Sequence, residues 1–353
     1  MNNAVRINKV LFPLAWIYGM GVDLRNYLFD RGIFRSLSFP VPVISIGNLA
    51  VGGTGKTPHT EYLIRLLEKK YKVAVLSRGY RRKTCGFVLA DDNASAGSLG
   101  DEPFQMFRKF PNAIIAVDAH RRRGMNHLLT LPEGQRPEIV LLDDAFQHRW
   151  VQPSLSILLT DSHRLFFQDA LLPVGRLREP AKNSARADIV IYTKCDIPHS
   201  DNVFMTYYEY KDLLPVFPAV HSVQKENLEH LKKEAYSFLL VTGLAHPADL
   251  IRYLKQFTTD LQMLIFPDHH NFSRTNIVRI EKSFKKIKNS RKILITSEKD
   301  AMRLMNHPAI REEIKKFMFY IPVEVAFHAG QEDLFTQKIE EHVKNFARNR
   351  ILA

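Results

Sequence analysis

VISIGNLAVGGTGKT, residues 43–57, decides the fold. Residues 41–47, VPVISIG, form a short apolar run rich in β-branched residues, the mark of a buried strand. Gly52, Gly53 and Gly55, with Thr54 among them, let the backbone bend so that its N–H groups face phosphate oxygens. The helix start that follows adds a positive dipole end. Lys56 is placed to reach the β- and γ-phosphates of a nucleotide, and the Thr57 hydroxyl suits Mg²⁺. Ala50 stands where the first glycine of G-x-x-x-x-G-K-[ST] belongs, so a glycine-rich turn without a ligand is the alternative. Downstream, PHTEYLIRLLEKK (58–70) sets Tyr62, Leu63, Leu66 and Leu67 at helical spacing. The order is strand, loop, helix.

Working outward, five more apolar runs end in polar residues: KVAVLSRG (72–79), AIIAVD (113–118), EIVLLDD (138–144), LSILLTD (155–161) and DIVIYTK (188–194). Such runs alternating with helical patterns predict an α/β domain of the P-loop NTPase type, a mostly parallel sheet with helices on both faces. In these sheets ligands sit beyond the carboxyl ends of the strands. Those ends carry Ser77, Asp118, Asp143, Asp144 and Asp161. Near 211–230 the pattern loses its long apolar runs and gains Pro215 and Pro218, which predicts a domain junction. YSFLLVTGLAHP (236–247), LQMLIFPDHHNF (261–272), a basic amphipathic helix over Ser273–Asn289 and KILITSEKDAMRL (292–304) follow, reading as a second, smaller α/β domain. The expected division is 1–35, an apolar helical segment; 36–217, the P-loop domain; and 218–353, the smaller domain.

Fifty Lys and Arg against 37 acidic residues leave a formal net charge of +13, which favours an anionic partner. A nucleic-acid-binding module would exploit that charge, but no nucleic-acid motif with interleaved aromatics is present, so no nucleic acid is expected. Two cysteines, Cys85 and Cys195, far apart, give neither a disulfide framework nor a zinc site. VLFPLAWIYGMGV (10–22) is apolar but shorter than the roughly 20 residues a spanning helix needs. Arg6 and Lys9 precede it, Arg25, Arg31 and Arg35 follow, and Phe12, Trp16 and Tyr18 lie within it. Two readings stay open: a helix lying in a membrane interface, and a helix docked on the protein's own core.

Candidate site residues follow from what phosphoryl transfer needs. An acidic residue at the end of a buried strand holds Mg²⁺, and Asp143 and Asp144 supply two. An isolated buried charge is costly, so the pair asks for a cation, although an exposed loop start is the simpler alternative. The acceptor hydroxyl needs a base, for which Asp101 and Glu102 are candidates, though both also suit a helix first turn. His269 and His270 beside Asp268 read as an oriented imidazole or as a surface pair. LLPVGRLREP (171–180) offers Arg176 and Arg178, suited to planar phosphate recognition, or a plain surface loop. The run Arg121, Arg122 and Arg123 reads as a solvated helix face. TKCD (193–196) approximates the N-K-x-D that reads guanine in GTPases, against a simple polar strand end. A GTPase of the metallochaperone or targeting type is the main alternative. DDAFQ lacks the D-x-x-G glycine that such an enzyme uses to sense the γ-phosphate.

Taken in order, VGGTGKTP, LSRGY, GDEP, DDAFQHR, LLPVGRLREP, TKCD, FPDHHNF and TSEKDA resemble the tetraacyldisaccharide 4'-kinase family of lipid A biosynthesis, over roughly residues 40–302. In that family threonine or a similar residue stands near position 50, so Ala50 ceases to be an anomaly. The resemblance implies an ATP-dependent phosphotransferase acting on the 4'-hydroxyl of a tetraacyldisaccharide 1-phosphate and giving lipid IVA. It implies that Lys56 and Thr57 hold the ATP phosphates and Mg²⁺, with Asp143 and Asp144 as the acidic strand end. Asp101 is implied as the base, paired with His269 of the second domain. Glu102, Gln147, His148, Arg176, Arg178 and Glu179 are implied on the metal and substrate side. Catalytic residues on two domains would couple base assembly to domain closure and water exclusion. The implied setting is peripheral or monotopic, at the cytoplasmic face of the inner membrane. The partners are then the lipid substrate and the membrane surface, with no obligate protein partner evident.

Overall fold

A computed structural model describes residues 9–197, 203–221, 225–268 and 270–351. Its strands are β1 (Val43–Asn48), β2 (Val73–Ser77), β3 (Val88–Leu89), β4 (Ile114–Val117), β5 (Ile139–Asp143), β6 (Leu155–Asp161), β7 (Ile189–Thr193), β8 (Phe204–Tyr210), β9 (Leu214–Pro215), β10 (Ser237–Thr242), β11 (Leu261–Ile265), β12 (Lys292–Ser297), β13 (Met318–Ile321) and β14 (Val323–Phe327). Its helices are α1 (Phe12–Asp30), α2 (Lys56–Leu67), α3 (Ala96–Leu99), α4 (Asp101–Lys109), α5 (Arg121–Leu129), α6 (Leu228–Lys233), α7 (Ala248–Leu254), α8 (Arg274–Lys286), α9 (Glu298–Leu304), α10 (Glu312–Lys315) and α11 (Gln331–Ile351). They form two compact units, Met1–Tyr208 with Val325–Ala353, and Glu209–Glu324. The segment 218–353 of the sequence reading is thus divided between the two units.

In the first unit nine strands take the order β14-β8-β7-β6-β1-β5-β2-β4-β3. β1 lies between β5 and β6 and pairs parallel with both. All six residues of β1 are buried, as a strand covered on both faces requires. The pleat separates two cores. Ile44 and Ile46 face α2 and α11, packing with Leu63, Leu67, Phe335 and Ile339. Val43, Val140 and Leu142 face the other way, toward Met125 and Leu128 of α5. β3 runs antiparallel to its neighbour β4. This is the doubly covered, mostly parallel sheet that the apolar runs predict.

α1 has two faces, and each open reading of it describes one. Ala15, Gly19, Asn26 and Phe29 are buried on a single face. A Cβ on Gly19 would lie 2.8 Å from Leu171 Cδ1, so the missing side chain sets how closely the helix docks. Opposite, Phe12, Leu14, Trp16, Ile17, Met20 and Leu24 are exposed, Trp16 to 69%. Among the described residues no helix is long and apolar enough to cross a membrane.

The second unit is a five-stranded sheet, order β11-β10-β12-β13-β9, parallel apart from β9. Phe238, Leu240, Ile293 and Ile295 from its central strands pack with Leu250 and Leu254 of α7. α8 begins at a capping box between Ser273 and Asn276, which ends the FPDHHNF loop at a defined point.

Candidate active site

The phosphate loop spans the gap between Asn48, the last residue of β1, and Lys56, the first of α2. Gly55 closes it in the left-handed region at φ 86°, where a Cβ would sit 2.5 Å from Tyr208 Oη. Asn48 Nδ2 donates to Thr54 Oγ1 at 2.6 Å and draws the loop over the strand end. The 171–180 segment straps it from outside. The Val51 N–H donates to the Arg176 carbonyl at 2.8 Å, and the Arg178 N–H to the Leu49 carbonyl at 2.7 Å. Ala50 itself pairs antiparallel with Leu177. At this position the chain is extended and paired, so it needs no glycine, and the departure from the usual motif has a local cause.

Asp143 and Asp144 lie beside this loop because β5 is the hydrogen-bonded neighbour of β1, with Ile46 opposite Asp143. Asp143 is buried and accepts from Ser77 Oγ at 3.0 Å and Thr60 Oγ1 at 3.4 Å. Burial, then the nearby charges of Glu102 and Asp144, push its carboxyl up to about 6, against the pull of Lys56. Asp144 adopts a left-handed backbone, φ 47°, and its Oδ1 lies 3.0 Å from Arg178 Nη1 and 3.7 Å from Lys56 Nζ. Burial acts upward on Asp144 too, but Lys56 and Arg178 outweigh it and hold its carboxyl below the ordinary range. Adjacent residues are therefore driven apart: one carboxylate fixed as an anion between two cations, the other poised near neutrality.

Gln147 lies between loop and strap. Its Nε2 donates to the Asn48 carbonyl at 2.8 Å, and its Oε1 accepts from Arg178 Nη1 at 3.4 Å. Asp101 and Glu102 form the first turn of α4, half-buried, and the Glu102 charge acts on Asp143 from there. His148 is held near 4 by burial and by Arg121 and Arg25, so its ring is neutral at physiological pH. Arg176 contributes backbone atoms: the carbonyl toward Val51, and an N–H that donates to Asp169 Oδ1 at 3.1 Å.

Arg121 corrects the reading of 121–123 as a solvated face. It is 2% exposed, and its guanidinium donates to the Asp118 carbonyl at 2.6 Å and the Asp143 carbonyl at 3.1 Å. Burial lowers it to about 10, still charged at neutral pH, with Asp143 and Asp144 acting to retain the proton. Arg123 does reach solvent while gripping Asp118 with Nε at 2.8 Å and Nη2 at 2.9 Å. Charge runs report composition and not which member turns inward. The signal available was position: Arg121 opens a helix just past the end of β4.

Glu179 is buried, and its Oε2 accepts from Asn26 Nδ2 at 3.1 Å, Asn183 Nδ2 at 2.8 Å and Arg186 Nη2 at 2.6 Å. It latches α1 to the strap. Tyr18 Oη donates to the Arg178 carbonyl at 2.8 Å and Arg25 Nη2 to the Gln147 carbonyl at 2.9 Å, so the same helix reaches three residues of this cluster.

In the second unit, the loop after β11 carries FPDHHNF. His269 lies outside the described residues. His270 stacks on Phe266 at 4.7 Å, and its Nε2 meets Asn276 Oδ1 at 2.9 Å. Asp300 is buried and accepts from the Gly243 N–H at 2.8 Å and Ser297 Oγ at 2.6 Å. Arg303 Nη1 joins it at 3.2 Å and reaches the His270 carbonyl at 3.4 Å. TSEKDA is thus the base on which the histidine loop rests.

The family described as tetraacyldisaccharide-1-P 4'-kinase matches residues 7–344. The tetraacyldisaccharide 4'-kinase of Bacteroides thetaiotaomicron is 48% identical, covering 98% of this chain and 96% of its own. That of Porphyromonas gingivalis W83 is 41% identical, covering 96% and 98%. The crystal structure of LpxK from Aquifex aeolicus in complex with ATP aligns with a TM-score of 0.75 at 28% identity, covering 95% of this chain and 98% of that one.

Proposed function

The chain belongs to the tetraacyldisaccharide-1-P 4'-kinase family, and from that premise we propose how its residues divide the work. The enzyme transfers the γ-phosphate of ATP to the 4'-hydroxyl of a tetraacyldisaccharide 1-phosphate in lipid A biosynthesis. The GTPase alternative is not favoured by any of these relatives. The observation that carries the assignment of roles is the Lys56–Asp144–Arg178 cluster at the mouth of the phosphate loop.

The N–H groups of the loop from Gly52 to Gly55, with Lys56, receive the phosphates. Thr57 in the first turn of α2, with Asp143 and Asp144 at the end of β5, offers an all-oxygen donor set, which suits a hard cation such as Mg²⁺. When bound, that ion supplies neutralisation of phosphate charge. Phosphoryl transfer asks for positioning and charge neutralisation more than covalent help. Asp101 in the first turn of α4 accepts the proton of the sugar hydroxyl, with His269 as its proposed partner. A carboxylate suffices as the base because the hydroxyl loses its proton late in a loose transition state. Arg178 holds Asp144 ionised, and Gln147 and Glu179 hold Arg178's segment. Glu102, His148 and Arg176 complete the surrounding wall.

A tetraacylated substrate stays in the bilayer. The exposed face of α1 from Phe12 to Leu24 supports binding at a lipid surface, with nearby basic residues adding roughly 1 kcal/mol each toward anionic headgroups. ATP is cytosolic, so the proposed setting is the cytoplasmic face of the inner membrane. The test is one reaction containing ATP, Mg²⁺ and tetraacyldisaccharide 1-phosphate, with the lipid product weighed by mass spectrometry. Gain of one phosphate is expected, and a lipid of unchanged mass refutes the assignment.

A further inference from the structure

TKCD at 193–196 is left without a part in the chemistry above, and its contacts lead back to the phosphate loop. β7 ends at Thr193, whose hydroxyl is buried and donates to the Thr54 carbonyl at 3.1 Å. Lys194 follows in a left-handed backbone, φ 58°, a conformation that an L-residue keeps only where its surroundings hold it. The Ser162 hydroxyl does so by donating to the Lys194 carbonyl at 2.8 Å. The Lys194 ammonium lies 2.6 Å from the Gly53 carbonyl and 2.6 Å from Asp161 Oδ2, at the end of β6. From the first turn of α2, His59 Nδ1 donates to the Gly55 carbonyl at 2.7 Å, while its Nε2 meets Thr206 Oγ1 at 3.0 Å. Three consecutive carbonyls of the loop, those of Gly53, Thr54 and Gly55, are each held by a side chain from outside it.

The consequence follows from peptide geometry. In a planar trans peptide the C=O and N–H point in opposite directions. Holding the Thr54 and Gly55 carbonyls outward turns the N–H groups of Gly55 and Lys56 inward, into the concavity that receives anions. The Thr54 N–H is not among them, since it donates to the Gly52 carbonyl at 3.0 Å. A loop left to itself could rotate these peptides and present oxygens to a triphosphate. Lys194 divides its ammonium between the Gly53 carbonyl and Asp161.

We propose that Thr193, Lys194 and His59 are positioning residues that clamp the phosphate loop in its anion-receiving form before nucleotide arrives. The inference rests on the ATP-dependent reading above. It makes preorganisation a source of nucleotide affinity, because ordering that precedes binding is not charged against it.

The test uses the full-length enzyme with Thr193→Val, Thr193→Ser and Lys194→Met. Affinity is measured by calorimetry for ATP and, separately, for inorganic tripolyphosphate, and KM is measured for ATP and for the lipid. Loss of one hydrogen bond to a buried carbonyl predicts about tenfold weaker binding of both ATP and tripolyphosphate by Thr193→Val. Thr193→Ser restores both, and the KM for the lipid stays unchanged. Lys194→Met, at a half-buried side chain, shows the same paired loss and serves where Thr193→Val folds poorly. The clamp is overturned if ATP binding weakens while tripolyphosphate binding does not, or if folded Thr193→Val binds both as wild type does. A wild-type protein that binds no ATP would instead defeat the kinase reading on which the clamp rests.

Discussion

Replacing Gly55 with alanine separates two costs that the loop geometry assigns to different atoms. The first is conformational: at φ 86° an L-residue pays roughly 1–2 kcal/mol. The second is steric. The new methyl would lie 2.5 Å from Tyr208 Oη, with a tight contact of 3.3 Å to His59 Nδ1 and an ordinary one of 3.5 Å to its Cε1. Forcing a methyl into a packed site costs roughly 1–3 kcal/mol, so Gly55→Ala alone should destabilise by about 2–5 kcal/mol. Tyr208→Phe removes the one oxygen responsible for the close contact. In the double variant the backbone cost and the smaller contact with His59 should persist, leaving a favourable coupling of about 1–3 kcal/mol from the tyrosine oxygen. Urea denaturation of wild type, both single variants and the double variant measures this cycle and subtracts whatever Tyr208→Phe costs by itself. A coupling within about 0.5 kcal/mol of zero would refute the claim that the tyrosine hydroxyl excludes a side chain at position 55.

Lys56→Ala and Asp101→Ala should each lower turnover by orders of magnitude, and an Asp101→Ala enzyme with near wild-type kcat would remove that residue as the base. Buried His59 is lowered from 6.5 to about 4, chiefly by desolvation, so the unfolded chain takes up its proton first as pH falls. Its stability contribution is complete above pH 6.5 and is lost between there and about pH 4, about 3 kcal/mol in all. The stability gap between wild type and His59→Asn should therefore narrow across that window, and parallel curves would contradict the burial argument. Trp16→Glu combined with Ile17→Glu, on the exposed face of α1, should reduce partition onto anionic vesicles while leaving ATP affinity unchanged. Undiminished partition would show that this face does not meet the lipid.

Where one strand's chemistry is local, the sequence sufficed. LSILLTD predicts β6 to the residue, and the other four runs flanking it match β2, β4, β5 and β7 to within a residue or two at each end, because strands covered on both faces must be continuously apolar. β8 and β14 escaped notice for the converse reason. FMTYYEY and VEVAF mix tyrosine and charge with apolar residues and stand over a hundred residues apart, so nothing local announces that they adjoin. The motifs located the Asp143–Asp144 pair but not its asymmetry. That depends on burial and the Glu102 charge at one carboxylate and on Lys56 and Arg178 at the other. Lys194 was visible as part of a motif, but its contact with the Gly53 carbonyl, 141 positions away, was not.

α1 shows why two opposed readings of one segment need not compete. A helix buried on one side needs only a stripe of contact positions, and Tyr18, Arg25, Asn26 and Phe29 fall on such a stripe at i, i+7, i+8 and i+11. The remaining surface was then available to stay apolar without cost to docking. Each contact on the stripe ends on the machinery itself: Tyr18 on the Arg178 carbonyl, Arg25 on the Gln147 carbonyl, Asn26 on Glu179. Arg178 in turn is the partner of Asp144. The helix proposed to meet the lipid surface and Asp144, the carboxylate that Arg178 keeps ionised, are therefore two hydrogen-bonded steps apart. On the proposal that α1 lies at a lipid surface, its depth there would also set the depth of the phosphate loop that the same strap holds, which suits an acceptor that cannot leave the bilayer.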